Sequence, residues 1–269
     1  MDHWRGWVRS LSIPFEWQKE VIHAAITLKV CNFEETGAIV AALTTSIPEA
    51  PGTERNWDYR FCWLRDAYFV IHALNRLGVT RTMEDYLRFI NDIVEGATKD
   101  ELRPVYGITR DTSIDEMILP HLASHQGFSP VRIGNQTYLQ VQNDVYGSVV
   151  LASTHAFFDR RLAYPGNTTL FEQLEHLADL AITVFDKPDA GPWELRTIAS
   201  VHTFSSVIYW AACDRLAKIG RQIGQADRAA YWRRGGRRMH AIICERAWNA
   251  ELGSFVSTFG GRRTPAGGP

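Results

Sequence analysis

Apolar residues recur along most of this chain at helical spacing. After Pro14, which suits a first helical turn, Trp17, Val21, Ala24 and Leu28 fall three or four positions apart and predict a helix with one apolar stripe. A second helix is predicted over 64–77, with Ala67, Val70, Ile71 and Leu74 on its apolar side and Gly78 as its stop. A third starts at Thr80 or Thr82 and carries Tyr86, Leu87, Ile90 and Val94. A short helical piece is expected near 115–122. From Asp144 the period returns through Val145, Val149, Ala152 and Ala156, in a helix ending before Pro165-Gly166. Thr168 or Thr169 then caps a helix burying Leu170, Leu174, Leu177 and Ala181, and two more are predicted over 202–220 and 226–248. The stretch 253–259 reads as a short strand. Loops fall at 47–52, 125–138 and 186–192, rich in Gly and Pro, and 100–113 reads as loop or short strands. The small-residue run 37–46 fits an extended or a helical form equally.

These are roughly eight helices without strand–helix alternation, which argues against a parallel α/β sheet. The pattern fits antiparallel helix pairs joined alternately by long loops and short turns. The expected class is all-α. No strict repeat supports a solenoid.

Composition narrows the function. With 269 residues, 45% hydrophobic and 22% charged, the chain can bury a sizeable core and is not disordered. A net charge of −1 offers no global field for nucleic acid or anionic lipid. Arg233, Arg234, Arg237 and Arg238 read as a solvated helix face. Cys31, Cys62, Cys213 and Cys244 lack metal spacing and lie in apolar segments, so buried free thiols are expected. The nine histidines do not cluster, and no metal or other cofactor is expected. The N-terminus lacks a signal peptide's pattern and no run reaches membrane-spanning length, so a cytoplasmic protein is expected.

The candidate chemistry lies in two places. Residues 56–66 read Asn-Trp-Asp-Tyr-Arg-Phe-Cys-Trp-Leu-Arg-Asp, alternating aromatic faces with arginines and carboxylates. Aromatics stack on the C–H face of a sugar ring, while Arg and Asp bond its hydroxyls. Trp57, Asp58 and Trp63 are sugar-facing or loop-bracing candidates, and Arg65 and Asp66 lie at a predicted helix start. Glu194 follows Trp193 in Asp189-Ala190-Gly191-Pro192-Trp193-Glu194, a loop that reads as entering a helix. A carboxyl beside an indole suits a general acid that must hold its proton; the alternative is a carboxylate at a helix start.

The runs Ala41-Ala42-Leu43-Thr44-Thr45-Ser46-Ile47-Pro48-Glu49 and Arg55-Asn56-Trp57-Asp58-Tyr59-Arg60, with Trp63-Leu64-Arg65-Asp66, resemble the opening of the catalytic domain in glycoside hydrolase family 15. That family holds glucoamylases, glucodextranases and a branch of trehalases. The resemblance implies an (α/α)6 toroid, here incomplete with roughly eight of about twelve helices. It implies Glu194 as the general acid and Arg65-Asp66 as the grip on the non-reducing glucose. Arg132 with Gly134-Asn135, and Gln142-Asn143-Asp144-Val145-Tyr146-Gly147, are similar to the family's third active-site loop, with Arg132 a substrate contact and Asn143 or Asp144 a helix cap. Trp193 joins the substrate-binding set. Pro192 departs from the residue expected before that Trp.

The resemblance covers most of the chain, which reads as a partial catalytic domain over 1–269 with a disordered tail at 262–269. It places the family's general base outside these residues. The loops carrying Arg65-Asp66, Arg132 and Glu194 are expected to converge on one cleft, and an exposed barrel flank to invite self-association. The leading reading is a glucoamylase-like, inverting α-glucosidase acting on an α-glucoside or oligosaccharide. A trehalase of the same family and a non-catalytic α-glucan-binding remnant stay open beside it.

Overall fold

A computed structural model describes residues 2–96 and 102–261. The expected disordered tail at 262–269 lies outside the described residues. Among those described are nine α-helical segments and three ladders of two short antiparallel strands, so the all-α class holds. The chain forms two compact units, Met1–Leu139 with Arg161–Tyr164, and Gln140–Arg160 with Pro165–Pro269.

In the first unit, α1 (Asp2–Arg9) precedes α2 (Gln18–Val30), α3 (Leu64–Arg76) and α4 (Thr80–Gly96). The sequence pattern did not indicate α1, a two-turn helix with no buried residue. The stripe predicted for α2 needs correction. Its buried centre is Ala25, while Ala24 is exposed and Trp17, left-handed at the N-cap, is 73% exposed. Helix α3 buries Leu64, Ala67, Ile71 and Leu74 and stops where predicted, because Gly78 takes a φ of +84° that a side chain would oppose. Helix α4 buries Tyr86, Phe89 and Ile90, and turns Ile93 rather than Val94 inward. One cluster joins Leu11, Ala25, Leu74 and Val79; another joins Trp63, Val105 and Ile114. The short helix expected near 115–122 is instead strand β3 (Met117–Ile118), paired with β4 (Arg132–Ile133). Cross-strand hydrogen bonds replace a helix that Pro120 would have cut within one turn. Strands β1 (Cys62–Trp63) and β2 (Val105–Tyr106) pair just ahead of α3.

In the second unit, α5 (Asp144–Ser153) is buried nearly all round, as a central helix must be. The single helix predicted from 144 breaks at Thr154, and α6 (His155–Phe158) follows as one turn. Helix α7 (Thr168–Val184) is capped one residue earlier than predicted, by Asn167, whose Oδ1 accepts from the Leu170 N–H at 2.9 Å. Helices α8 (Thr203–Gln222) and α9 (Ala226–Ala247) form a tight antiparallel hairpin. Trp232 fills the core between them and donates its indole N–H to the buried Glu175 of α7, which also takes the Arg228 guanidinium at 2.8 Å. The arginines at 233, 234, 237 and 238 are exposed, as expected. Strands β5 (Trp248–Asn249) and β6 (Ser254–Phe255) close the unit.

The four thiols are free but not all buried: Cys244 is exposed and Cys31 half-buried. Burial pushes the Cys62 and Cys213 thiols up to about 12. Since the thiolate is the nucleophile, iodoacetamide at neutral pH is expected to alkylate Cys244 first. Cys62 and Cys213 should label only after denaturant is added, as read by peptide mass spectrometry.

Candidate active site

The aromatic-charged stretch of the first unit is built on buried polar bonds. Asn56 is fully buried; its Nδ2 donates to the carbonyls of Phe128 and Pro130 at 3.1 and 2.8 Å. Its Oδ1 accepts from Nη1 of Arg132 at 3.3 Å, and the same Nη1 donates to the Glu54 carbonyl at 2.8 Å. Arg132 lies on β4 rather than in an open loop. Its Nε sits 3.2 Å from the Glu116 carboxylate, and its guanidinium lies over the Trp57 ring at 4.6 Å. The structure thus joins Trp57 and Arg132, two residues predicted separately.

Asp58 has no solvent exposure. Its carboxylate accepts from Nε and Nη2 of Arg60 at 2.9 and 2.8 Å, from the Arg60 N–H at 3.1 Å and from the Gly134 N–H at 3.1 Å. Its carbonyl accepts from Nδ2 of Asn135 at 3.0 Å. This is the bracing half of the sequence expectation. Trp63 is likewise buried, at the N-cap of α3 with extended backbone.

Arg65 and Asp66 occupy the first turn of α3, about 100° apart around its axis. Nη2 of Arg65 and Oδ2 of Asp66 are 3.2 Å apart. Asp66 is 48% exposed in its side chain and is the one charged group lining a cavity of about 190 Å³, among Cys31, Ile39, Val40, Ala41 and Phe69.

The second unit carries Glu194, and here the local expectation changes. Glu194 does not start a helix, since α8 begins at Thr203. It sits in a turn closed by its own N–H to the Gly191 carbonyl at 3.2 Å, and its φ is 55°. A left-handed conformation is strained for a residue with a side chain and persists only where surroundings impose it. Two glutamines bond the residue that takes it. Gln140 donates Nε2 to the Glu194 carbonyl at 3.1 Å, and Gln142 donates Nε2 to the Glu194 Oε1 at 3.3 Å. Gln142 is buried and also donates to the Oε1 of Gln140 at 3.1 Å. Trp193 is 77% exposed, presenting its indole to solvent. Asn143, one of the two residues expected to cap α5, is its N-cap residue but makes no side-chain cap bond; its Nδ2 donates to the carbonyls of Val184 and Lys187 at 3.3 and 3.2 Å.

Sequence reasoning gave no role to Asn56, Gln140 or Asp189. Asp189 is buried, and burial raises its carboxyl above the usual range against the pull of the Asn143 N–H and the Ser205 hydroxyl. A carboxylate four residues ahead of the Trp-Glu pair was the only available signal for it.

Comparison with known proteins gives the family. The family described as glycosyl hydrolases family 15 matches residues 17–265, and the chain belongs to that family. It is 37% identical over 261 residues to a trehalase of Mycobacterium tuberculosis, covering 96% of this chain and 38% of that protein. It is 33% identical over 269 residues to a trehalase of Thermoplasma volcanium, covering 98% of this chain and 42% of that protein. The chain therefore spans about two fifths of the length of these relatives. Among solved structures, a bacterial glucoamylase complexed with acarbose superposes with a TM-score of 0.61 at 16% identity, over 91% of this chain and 32% of that one. The Saccharomycopsis fibuligera glucoamylase gives 0.57 at 13% identity, over 90% and 52%. The fold is of the (α/α)6 class. Among the described residues no helix is long and apolar enough to cross a membrane.

Proposed function

We propose that this chain carries the acid-bearing part of a trehalase. The observation that carries the substrate is the 37% identity to a protein of that name across nearly the whole chain, which favours trehalose over the glucoamylase-like substrate of the first reading. In this reading Glu194 protonates the oxygen bridging the two glucose units as the C1–O bond breaks. Water adds to C1 from the opposite face, and its proton passes to a second carboxylate. Arg65 and Asp66 hold hydroxyls of the glucosyl unit being cleaved, and the exposed Trp193 offers a stacking face. Trp57, Arg132 and Asp58 keep the surrounding loops in place. The supporting observations are the left-handed backbone of Glu194 and the Gln142 amide on its carboxylate.

Inverting hydrolysis needs that second carboxylate about 6.5–9.5 Å from the acid, and the family resemblance places it outside residues 1–269. The 269 residues expressed alone are therefore expected to release negligible glucose. A longer polypeptide carrying them should release glucose from trehalose in preference to maltose and maltooligosaccharides. Proton NMR at early times should show β-glucose among the first products. Faster turnover of maltooligosaccharides than of trehalose would return the assignment to a glucoamylase.

A further inference from the structure

Asp189 is 1% exposed, a costly place for a carboxylate unless donors surround it. Its Oδ2 accepts from the Asn143 N–H at 2.7 Å and from the Ser205 hydroxyl at 2.9 Å. Its main chain exchanges two hydrogen bonds with Ser200, at 2.9 and 3.0 Å. Its Oδ1 faces Nε2 of the buried His202 at 4.0 Å, with no hydrogen-bond partner on either atom among the described residues. The imidazole backs directly onto the turn: a Cβ on Gly191 would fall 2.4 Å from the ring, so only glycine lets the turn close against it.

We propose that Asp189 is the positioning residue for Glu194, fixing the distance between the Glu194 carboxylate and the Gln142 amide. One residue ties three segments together. Through Asn143 it holds the residue next to Gln142, whose side chain donates to Glu194. Through Ser205 it holds the first turn of α8. Its own main chain, bonded to Ser200, anchors the turn in which Glu194 keeps its left-handed backbone. A buried acceptor parted from its donors finds no water to replace them, so this junction leaves the three segments little freedom. His202 supports the same turn from behind. The assignment rests on reading Glu194 as the acid, but the positioning itself can be measured without turnover.

The test is an NMR titration of the isotopically labelled 269-residue chain, following the Glu194 Cδ and the Gln142 side-chain amide across the acidic pH range. In the unaltered chain the Gln142 amide is expected to shift with the midpoint read at Glu194 Cδ, because one donates to the other. Reading Glu194 directly keeps any titration of His202 apart. In Asp189→Ala that co-titration should be lost while helical content is retained. Asp189→Asn, which keeps an acceptor oxygen for Asn143, should restore it, whereas Asp189→Leu, which fills the space without an acceptor, should not; restoration by Leu would make the role space-filling and overturn the proposal. Should Asp189→Ala fail to fold, Ser205→Ala decides: it removes one anchor and little volume, and the Gln142 response should shrink. Co-titration unchanged in the folded Asp189→Ala chain, or in Ser205→Ala, overturns the proposal. Glucose release by Glu194→Gln in the longer polypeptide tests the acid role separately, so the two failures are distinguishable.

Discussion

Glu194→Gln is expected to lower kcat/KM for trehalose by about 10²–10⁴-fold in a polypeptide that turns it over, the range that a positioned proton donor contributes. The substitution is close to isosteric. Its amide oxygen can still accept from Gln142 Nε2, and its main chain keeps the bonds to Gly191 and Gln140, so the turn should hold its shape. Only the transferable proton is removed. The loss should therefore depend on the leaving group. Glucose leaving from trehalose is a poor leaving group without protonation, whereas fluoride leaving from α-glucosyl fluoride needs little. Hydrolysis of the fluoride is expected to survive far better than hydrolysis of trehalose, with KM for both little changed. An equal loss on both substrates would mean that Glu194 does something other than donate a proton. Undiminished turnover of trehalose would remove it from the reaction.

The second large effect is on stability. Asp58→Ala should destabilise the first unit by roughly 3 kcal/mol, the lower end for breaking a buried ion pair. The lower end applies because the Arg60 side chain is about half exposed and can turn to water. The Gly134 N–H and the Arg60 N–H have no such escape from their positions beside the removed carboxylate. At roughly 2–4 °C per kcal/mol for a structure of this size, the apparent Tm should fall by about 6–12 °C. Asp66→Ala is the contrast. Its carboxylate is half exposed and faces the largely buried Arg65 at 3.2 Å, so water can replace part of what is lost and the cost should be smaller than for the enclosed Asp58. Thermal unfolding followed by circular dichroism compares the two. A large drop for Asp66 and none for Asp58 would reverse the roles assigned to them, with Asp66 bracing and Asp58 dispensable to the fold.

The elements most legible in the sequence were those whose cause is local. Helix α3 could be placed because Ala67, Ile71 and Leu74 recur at one helical face and Gly78 can take the conformation that ends it. Helices α8 and α9 followed from the same reasoning, and the family was recognisable from residues 41–66 as written. Fine boundaries were less legible, since they depend on competition between neighbours. Asn167 outcompetes two threonines for the cap of α7, and α5 breaks at Thr154 although its apolar period continues to Ala156.

What only the tertiary structure decided is where each polar group of the site spends its bonds. Asp58 and Asp66 are eight positions apart in one motif-rich stretch, and nothing in their local sequence says which one is enclosed. The answer comes from β4 and the residues after it, because Gly134 and Asn135 arrive from far along the chain to bond Asp58. Met117 and Ile118 became a strand for a similar reason: their partners at 132–133 are remote, and a helical pattern cannot register them. Asp189 looked like an ordinary turn aspartate until Asn143 and Ser205 closed on it. Periodicity and capping act over a few residues and can be read in order along a chain. Desolvation and hydrogen-bond satisfaction depend on which distant segments meet, so they are decided only when the chain has folded.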